Sequence, residues 1–397
     1  MEMIDFFIWS DNWWIENDEA WFVDGDKNLL FHLFLKTNEC DFLSEIPHES
    51  ESTFRLNSRC IKCGEEIFCM PDNSNSIWVY HLKEKNFHEI KISNPNNVRI
   101  GMTHYWKFNE KIIAISHGLN MLFEIDIQEK KIDNSYQLEG IIASCIKVND
   151  FIYYVAHEKN SVFQFDLSNK SITEYHLDEF SKGIHTICYD GKYFWLSGYC
   201  KEIYMWNKNE NSVKVLDCFP KSFGIYNYEL SGELLLDCDS EKYKSPAFLD
   251  SIALNQYIWF IPFKTNKIIY INKNTYEINT LECMYEDETR NSFAQNTMKH
   301  KYLLEYVLDN RYMGLYSFKN KCIFEIDTFE KRILKKEFYY SSEQINRIGE
   351  IYKNKKIILR EQKAIDRVIY KGMMDTKIIS DLGIGEKMFG QKVYRAI

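Results

Sequence analysis

Glycine and proline are scarce in this chain, 16 and 6 among 397 residues. That scarcity excludes collagen-like and low-complexity chains, which need both in abundance. Positive charge is also short, with 49 Lys and Arg against 58 Asp and Glu and a formal net charge of −9. A general binder of nucleic acid or of acidic membrane surfaces draws its affinity from the opposite balance, so neither partner is expected. No apolar run reaches the roughly 18 residues that a membrane-spanning helix requires. The first residues, Met1 to Asp11, carry acids where a secretory signal has its basic segment, and only a short apolar stretch lies between them, so no export signal is expected. The cysteines number 11, an odd count without a small-scaffold framework. That usage suits free thiols in a reducing compartment, and a cytoplasmic monomer is expected.

Loops that would announce a reaction are missing as well. No Gly-x-Ser-x-Gly is present, and Ser197-Gly198 falls in a repeated turn. The pair of glycines in Leu382-Gly383-Ile384-Gly385-Glu386 lacks the third glycine and the strand-loop-helix setting that would aim backbone N–H groups at a phosphate. Lys353, Lys355 and Lys356 around Asn354 read as a solvated edge that discourages strand-to-strand aggregation.

Aromatic residues are plentiful: 26 Tyr, 27 Phe and 9 Trp. They favour pleated, half-buried surfaces over helices. A repeat organises them. Its clearest unit runs from Ser144 to Ile172 as an apolar strand, a turn at Asn149, a second apolar strand, a turn at Asn160, an alternating strand ending at Asp166, another turn, and a fourth strand. The first turn recurs at Asn17, Gly64, Asn109, Asn149, Asp190, Asn255 and Asn310, with spacings of 47, 45, 40, 41, 65 and 55 residues. All seven are residue types that tolerate tight or left-handed turns. The second turn then falls on Asn28, Asn75, Asn120, Asn160, Lys201, Asn266 and Lys321. The third strand is expected to end at Phe34, His81, Asp126, Asp166, Asn207, Asn272 and Asp327.

Four-stranded antiparallel units at this period form β-propeller blades. The chain therefore reads as one all-β domain over residues 1–397. A weaker eighth unit from Asn354 makes eight blades the favoured count, with seven as the alternative. Phe6-Phe7-Ile8-Trp9 is expected to supply the outer strand of the last blade and so join the chain ends. The two long gaps place insertions near 220–248 and 282–300.

Several phrases carry a family likeness: Ala20-Trp21-Phe22-Val23-Asp24-Gly25, Phe54-Arg55-Leu56-Asn57-Ser58 with Met70-Pro71 after it, Ile258-Trp259-Phe260-Ile261-Pro262, and Phe324-Glu325-Ile326-Asp327. With them the chain resembles a bacterial β-propeller family of uncharacterised activity, and in general form it is similar to kelch-like and streptogramin-lyase-like propellers. The true kelch Gly-Gly doublets are absent. The resemblance implies the fold and assigns no catalytic residue.

In a propeller the innermost strand of each blade begins on the face that also carries the second turn. Five residues before each first-turn mark stand Asn12, Arg59, His104, Ser144, His185, Asp250 and Glu305, all polar. Two residues further on stand Trp14, Ile61, Trp106, Ile146, Ile187, Ile252 and Val307, all apolar. A polar ring above an apolar one describes a wet channel mouth over a packed interior. The second turn adds His117 and His157, so four histidines gather within three consecutive blades. Arg59, His104, His117, His157, His185, Asp250 and Glu305 are the candidate ligand-binding residues. Imidazole and carboxylate suit a divalent metal or acid/base work, and the planar fork of Arg59 suits a carboxylate or phosphate unless a neighbouring acid takes it. Water in any channel mouth also demands polar residues.

Cys60-Ile61-Lys62-Cys63 has the spacing of half a zinc knuckle. Its counterpart in the fourth unit, Cys145-Ile146-Lys147-Val148, keeps a single Cys, and core cysteines are the better reading. Trp13, Trp14, Trp21, Trp78, Trp106, Trp195, Trp206 and Trp259 fall in repeat strands and are expected to fill the wedges between blades, while Tyr105 or Tyr199 at the rim would stack on a sugar or a peptide aromatic. A recognition module for a peptide, protein or glycan is thus the favoured function, with no catalytic residue and no cofactor assigned. The alternative is a metal-assisted lyase or hydrolase at the same face, using a divalent metal.

Overall fold

The computed structural model describes residues 10–351, except 11, 26, 48–55, 96–97, 158, 179–182, 200, 228–232, 236–245, 264, 282–301, 318–321 and 337. Seven four-stranded antiparallel sheets follow one another along the chain, at residues 14–45, 57–91, 102–137, 142–176, 184–216, 248–281 and 302–336. Each is a simple meander, with every strand paired to the next in sequence. Seven blades, the alternative count, is what these residues form. The eighth unit at Asn354, its lysines and the glycines Gly383 and Gly385 lie outside the described residues, as do Phe6–Trp9 and the insertion at 282–300. A short hairpin, Ile225–Asn227 with Glu233–Leu235, stands in the 220–248 insertion.

The turns explain why the strands break where they do. Asn17, Gly64, Asn109, Asn149, Asn255 and Asn310 have φ between 51° and 62°, the left-handed backbone that two-residue hairpins need. In blade 5 that conformation moves one residue on, to Gly191 at φ 100°. The third strand ends at the expected residue in all seven blades. A side chain there locks the third turn: Asp126 Oδ1 accepts from Glu129 N at 2.7 Å, Asp166 Oδ1 from Ser168 N at 2.7 Å, and Asn272 Oδ1 from Asn274 N at 2.9 Å.

Apolar residues alternate between the two faces of each sheet, so each blade presents a greasy side to both neighbours. Seven separate cores result, one per seam. Blades 1 and 2 share the core around Trp21 and Ile67, blades 2 and 3 that around Phe68 and Ile112, and blades 3 and 4 that around Ile113 and Tyr154. The next three seams centre on Leu196, on Trp195 with Phe260, and on Trp259 with Leu315. The seventh core joins blade 7 to blade 1 and closes the ring: Trp13 stacks between Phe22 at 4.7 Å and Tyr306 at 5.0 Å between centroids. Trp13 N also donates to the Glu305 carbonyl at 2.6 Å.

Third-turn lysines staple four of the seams on the lower face. Lys130 reaches back to Glu66 at 2.6 Å, Lys170 to Glu124, Lys208 to the Tyr153 hydroxyl at 2.8 Å, and Lys331 into the rings of Tyr257, Trp259 and Tyr270. After blade 7 the chain crosses to the outer edge of blade 1. There Tyr339 N donates to the Asn38 carbonyl and its own carbonyl accepts from Cys40 N, both at 2.8 Å. A helix over 342–351 follows and lays Ile348 and Ile351 against the closing core. Among the described residues, no helix is long and apolar enough to cross a membrane.

Candidate functional site

Six of the seven inner strands carry a one-residue register shift at their upper end: beside Arg59, at Thr103, beside Ser144, at His185, beside Asp250 and at Glu305. A bulge turns side chains out of the regular pleat, and here it re-aims the residues at the channel lip. These shifts fall at or beside the positions that the repeat marks on six of the seven inner strands.

His104 and His117 meet in blade 3. His104 Nδ1 lies 3.1 Å from His117 Nε2, and the rings are within 6° of parallel with centroids 5.2 Å apart. That separation is near the greatest that such an N···N contact permits between two five-membered rings. The rings therefore meet edge to edge in nearly one plane, joined by an N–H···N hydrogen bond. The turn that presents His117 is held by Gly118, whose N donates to the Ile100 carbonyl at 3.1 Å. A Cβ on Gly118 would fall 1.5 Å from the Arg99 carbonyl oxygen, so only glycine fits. Burial first, and then the Arg59 charge, pushes His104 down to about 3. Burial, then His104, Arg59, Arg99 and His157, holds His117 well below the usual imidazole value. Both rings are neutral near pH 7.

Arg59 stands beside them. Its Nη1 donates to the Thr103 carbonyl, and its Nε is shut off from solvent without a partner. Among the described residues no carboxylate lies within ion-pair distance of the guanidinium, so the acid that could have absorbed its charge is not in place. Its field nonetheless reaches His104 and His117 of blade 3, Cys145 of blade 4 and Asp250 of blade 6. Burial raises Asp250 to about 6, against the opposing pull of the Ser251 N–H and of Arg59.

A second cluster crosses blades 4 to 6. His157 Nδ1 is 3.1 Å from the Tyr199 hydroxyl, and the His157 and His185 rings are 5.2 Å apart. His185 also faces Tyr199 at 6.3 Å and Phe263 at 6.4 Å. Next to His157 stands Ile141, whose carbonyl accepts the His157 N–H at 2.7 Å and whose side chain is 60% exposed.

The remaining lip residues take other places. Glu305 is fully buried and accepts from the Ser10 hydroxyl at 3.1 Å, which sets it in the seam between blades 7 and 1. Asn12 is exposed, and its carbonyl receives the Tyr105 hydroxyl at 3.4 Å; Tyr105 itself is buried. Ser144 is buried. Among the described residues, no three His, Cys, Asp or Glu side chains stand close enough to hold a metal ion. Cys60 and Cys63 lie in different seam cores, because residues three apart on a strand point to opposite faces. Burial pushes the Cys63 thiol up to about 11 and Cys60 further still. Trp13, Trp21, Trp195, Trp206 and Trp259 are buried in the seams, and Trp14 and Trp106 only partly so. Ile141 and Phe263 escaped the sequence reading. Phe263 follows Pro262 into the second turn of blade 6 and was accessible to the same register argument; Ile141 lies between blades, where the repeat sets no position.

The meandering sheets, the seven seams and the common lip define a seven-bladed β-propeller. No family model matches the chain, and no curated protein matches it either. A chain in a crystal structure of the mitotic checkpoint complex is similar to it at 10% identity and a TM-score of 0.53, covering 80% of this chain and 89% of that one. The crystal structure of the computationally designed Ika8 protein aligns over 83% of this chain and 87% of that one, at 7% identity and a TM-score of 0.49. Solved chains similar in shape number 1483, too broad a group to select a function.

Proposed function

We propose that this propeller is a non-enzymatic recognition module that binds a peptide, protein or glycan across the channel-mouth face. What supports the reading is a run of polar and aromatic side chains on consecutive blades: Arg59 of blade 2, without an acid partner among the described residues, bonded to the Thr103 carbonyl beside the His104–His117 pair, and the His157, His185, Tyr199 and Phe263 rings grouped across blades 4 to 6. Rigid polar and aromatic groups held by separate elements are what a binding surface requires, and propellers commonly serve as protein-interaction scaffolds. Seven described cysteines, Cys40, Cys60, Cys63, Cys69, Cys145, Cys188 and Cys218, are free thiols, which supports a cytoplasmic setting. The same proposal takes the chain as a monomer of the bacterial propeller family that its phrases resemble.

A metal-assisted lyase or hydrolase needs imidazole nitrogens directed at an ion. His104 Nδ1 and His117 Nε2 are instead directed at each other. Peptide and glycan arrays probed with the native chain, with H157A/Y199A and with the lower-face variant K83A test the proposal. Binding lost in H157A/Y199A and kept in K83A is expected. Binding that survives H157A/Y199A, or a stoichiometric divalent ion lost from H104A/H185A together with turnover, overturns it.

A further inference from the structure

We propose that the mouth contains a seat for one carboxylate, formed by Arg59 with the His104–His117 pair beside it, and that the ligand is a peptide presenting an acidic residue next to an apolar one. The proposal rests on reading this face as the recognition face and deepens it.

Arg59 is the reason to look for an anion. One end of its fork is spent on the Thr103 carbonyl, and among the described residues Nη2 makes no hydrogen bond and Nε has no partner. Leaving a partly buried guanidinium without an acid is costly, and a bidentate carboxylate relieves it. The nearby imidazoles add no charge, and in the tautomer that has His117 Nε2–H donating to His104 Nδ1 the His104 proton sits on Nε2, away from its partner, as a further donor.

The charges around the seat favour a monoanion. Arg99, the other guanidinium whose field reaches this space, is already paired with Asp72. Asp250 lies within reach of the Arg59 charge, so a phosphate dianion meets one cation and a repelling acid, whereas a carboxylate monoanion matches Arg59 in charge. For the apolar subsite we take Ile141, which is exposed and accepts the His157 N–H through its carbonyl, and the Tyr199, His185 and Phe263 rings grouped with His157. Such a shelf suits an aliphatic or aromatic side chain better than a polyhydroxylated sugar.

The test uses the full chain labelled at histidine Cε1, titrated with acetyl-Leu-Glu-amide, its Gln counterpart, acetate, inorganic phosphate and glucuronate. Saturable shifts of the His104 and His117 signals are expected with the Glu peptide and acetate, while His32 and His88, in the outer parts of blades 1 and 2, stay fixed. The Gln peptide should bind about tenfold more weakly, as should the Glu peptide to R59M, which is the factor expected for one charge-assisted pair. R59K retains the charge without the fork and should fall between them, so the reading does not hang on one variant. Equal binding of the Glu and Gln peptides, unchanged binding by R59M and R59K, or tighter binding of phosphate or glucuronate overturns the seat. Array binding that depends on His157 and Tyr199 but not on Arg59 overturns the seat alone and leaves the recognition face standing.

Discussion

Acidification should weaken this fold through His104 and strengthen it through Asp250, and two single substitutions separate the effects. The folded-state value of His104 is about 3, against 6.5 for the free imidazole. A base depressed on folding contributes stability that is present above its unfolded value and is lost as pH falls toward the folded one. At about pH 5 the loss is 1.5 pH units at about 1.4 kcal/mol each, roughly 2 kcal/mol, or about 1 kcal/mol after allowing for partial solvent access. Asp250 runs the other way. Its value rises from 3.8 to about 6, so its contribution is full below the unfolded value and is lost as pH rises through the folded one. Between about pH 6 and 5 it returns roughly 1 kcal/mol. Urea midpoints measured by tryptophan fluorescence at about pH 7 and 5 report both. H104N should lose less stability on acidification than the native chain, and D250N should lose more. Two variants shifting in the same direction, or neither shifting, would refute the placement of these groups in a shared buried mouth.

Three further outcomes test the scaffold. Gly118→Ala should cost about 1–3 kcal/mol, because its Cβ meets the backbone oxygen of Arg99 at 1.5 Å rather than a yielding side chain; urea unfolding measures it, and the His104–His117 hydrogen bond should be lost from imidazole NMR spectra. Trp13→Ala should cost about 3–5 kcal/mol, since the indole is 5% exposed between Phe22 and Tyr306; a loss below 1 kcal/mol would mean the ring is not closed there. Lys331→Met should cost about 1–2 kcal/mol, because the ammonium lies 3.5 Å from the Tyr257 ring centre and 4.8 and 4.7 Å from those of Trp259 and Tyr270; an unchanged unfolding midpoint would show the staple to be idle.

Much of the architecture was legible because each turn has a local chemical requirement. Asn or Gly at the first turn supplies left-handed backbone, and Asp or Asn at the third binds the turn's own amides, so these marks repeat whatever surrounds them. The blade count was not, because a run such as Lys355-Lys356-Ile357-Ile358-Leu359 has a strand's composition whether or not it joins a sheet. The lip positions followed from register, yet their surroundings did not. Glu305 occupies the expected rung but turns into the seam, because Ser10 and Trp13 arrive from the far end of the chain. The pairing of His104 with His117, and of His157 with Tyr199, depends on how strands and blades face each other, which one unit's pattern does not encode. The Cys60/Cys63 reading needed only the period of a strand.

The strap over 338–340 has a bearing on biosynthesis. Blade 1 leaves the ribosome with its outer edge bare and with Trp13 and Phe22 lacking the partners they meet in Tyr306 and Ile348, which are translated some 300 residues later. At about 5–20 residues per second, that interval lasts roughly 15–60 s. For that time an unpaired strand and an unburied aromatic face are open to association with other nascent chains. The first blade made is the last to be finished, and a chain released early is held open at the place where it is most adhesive.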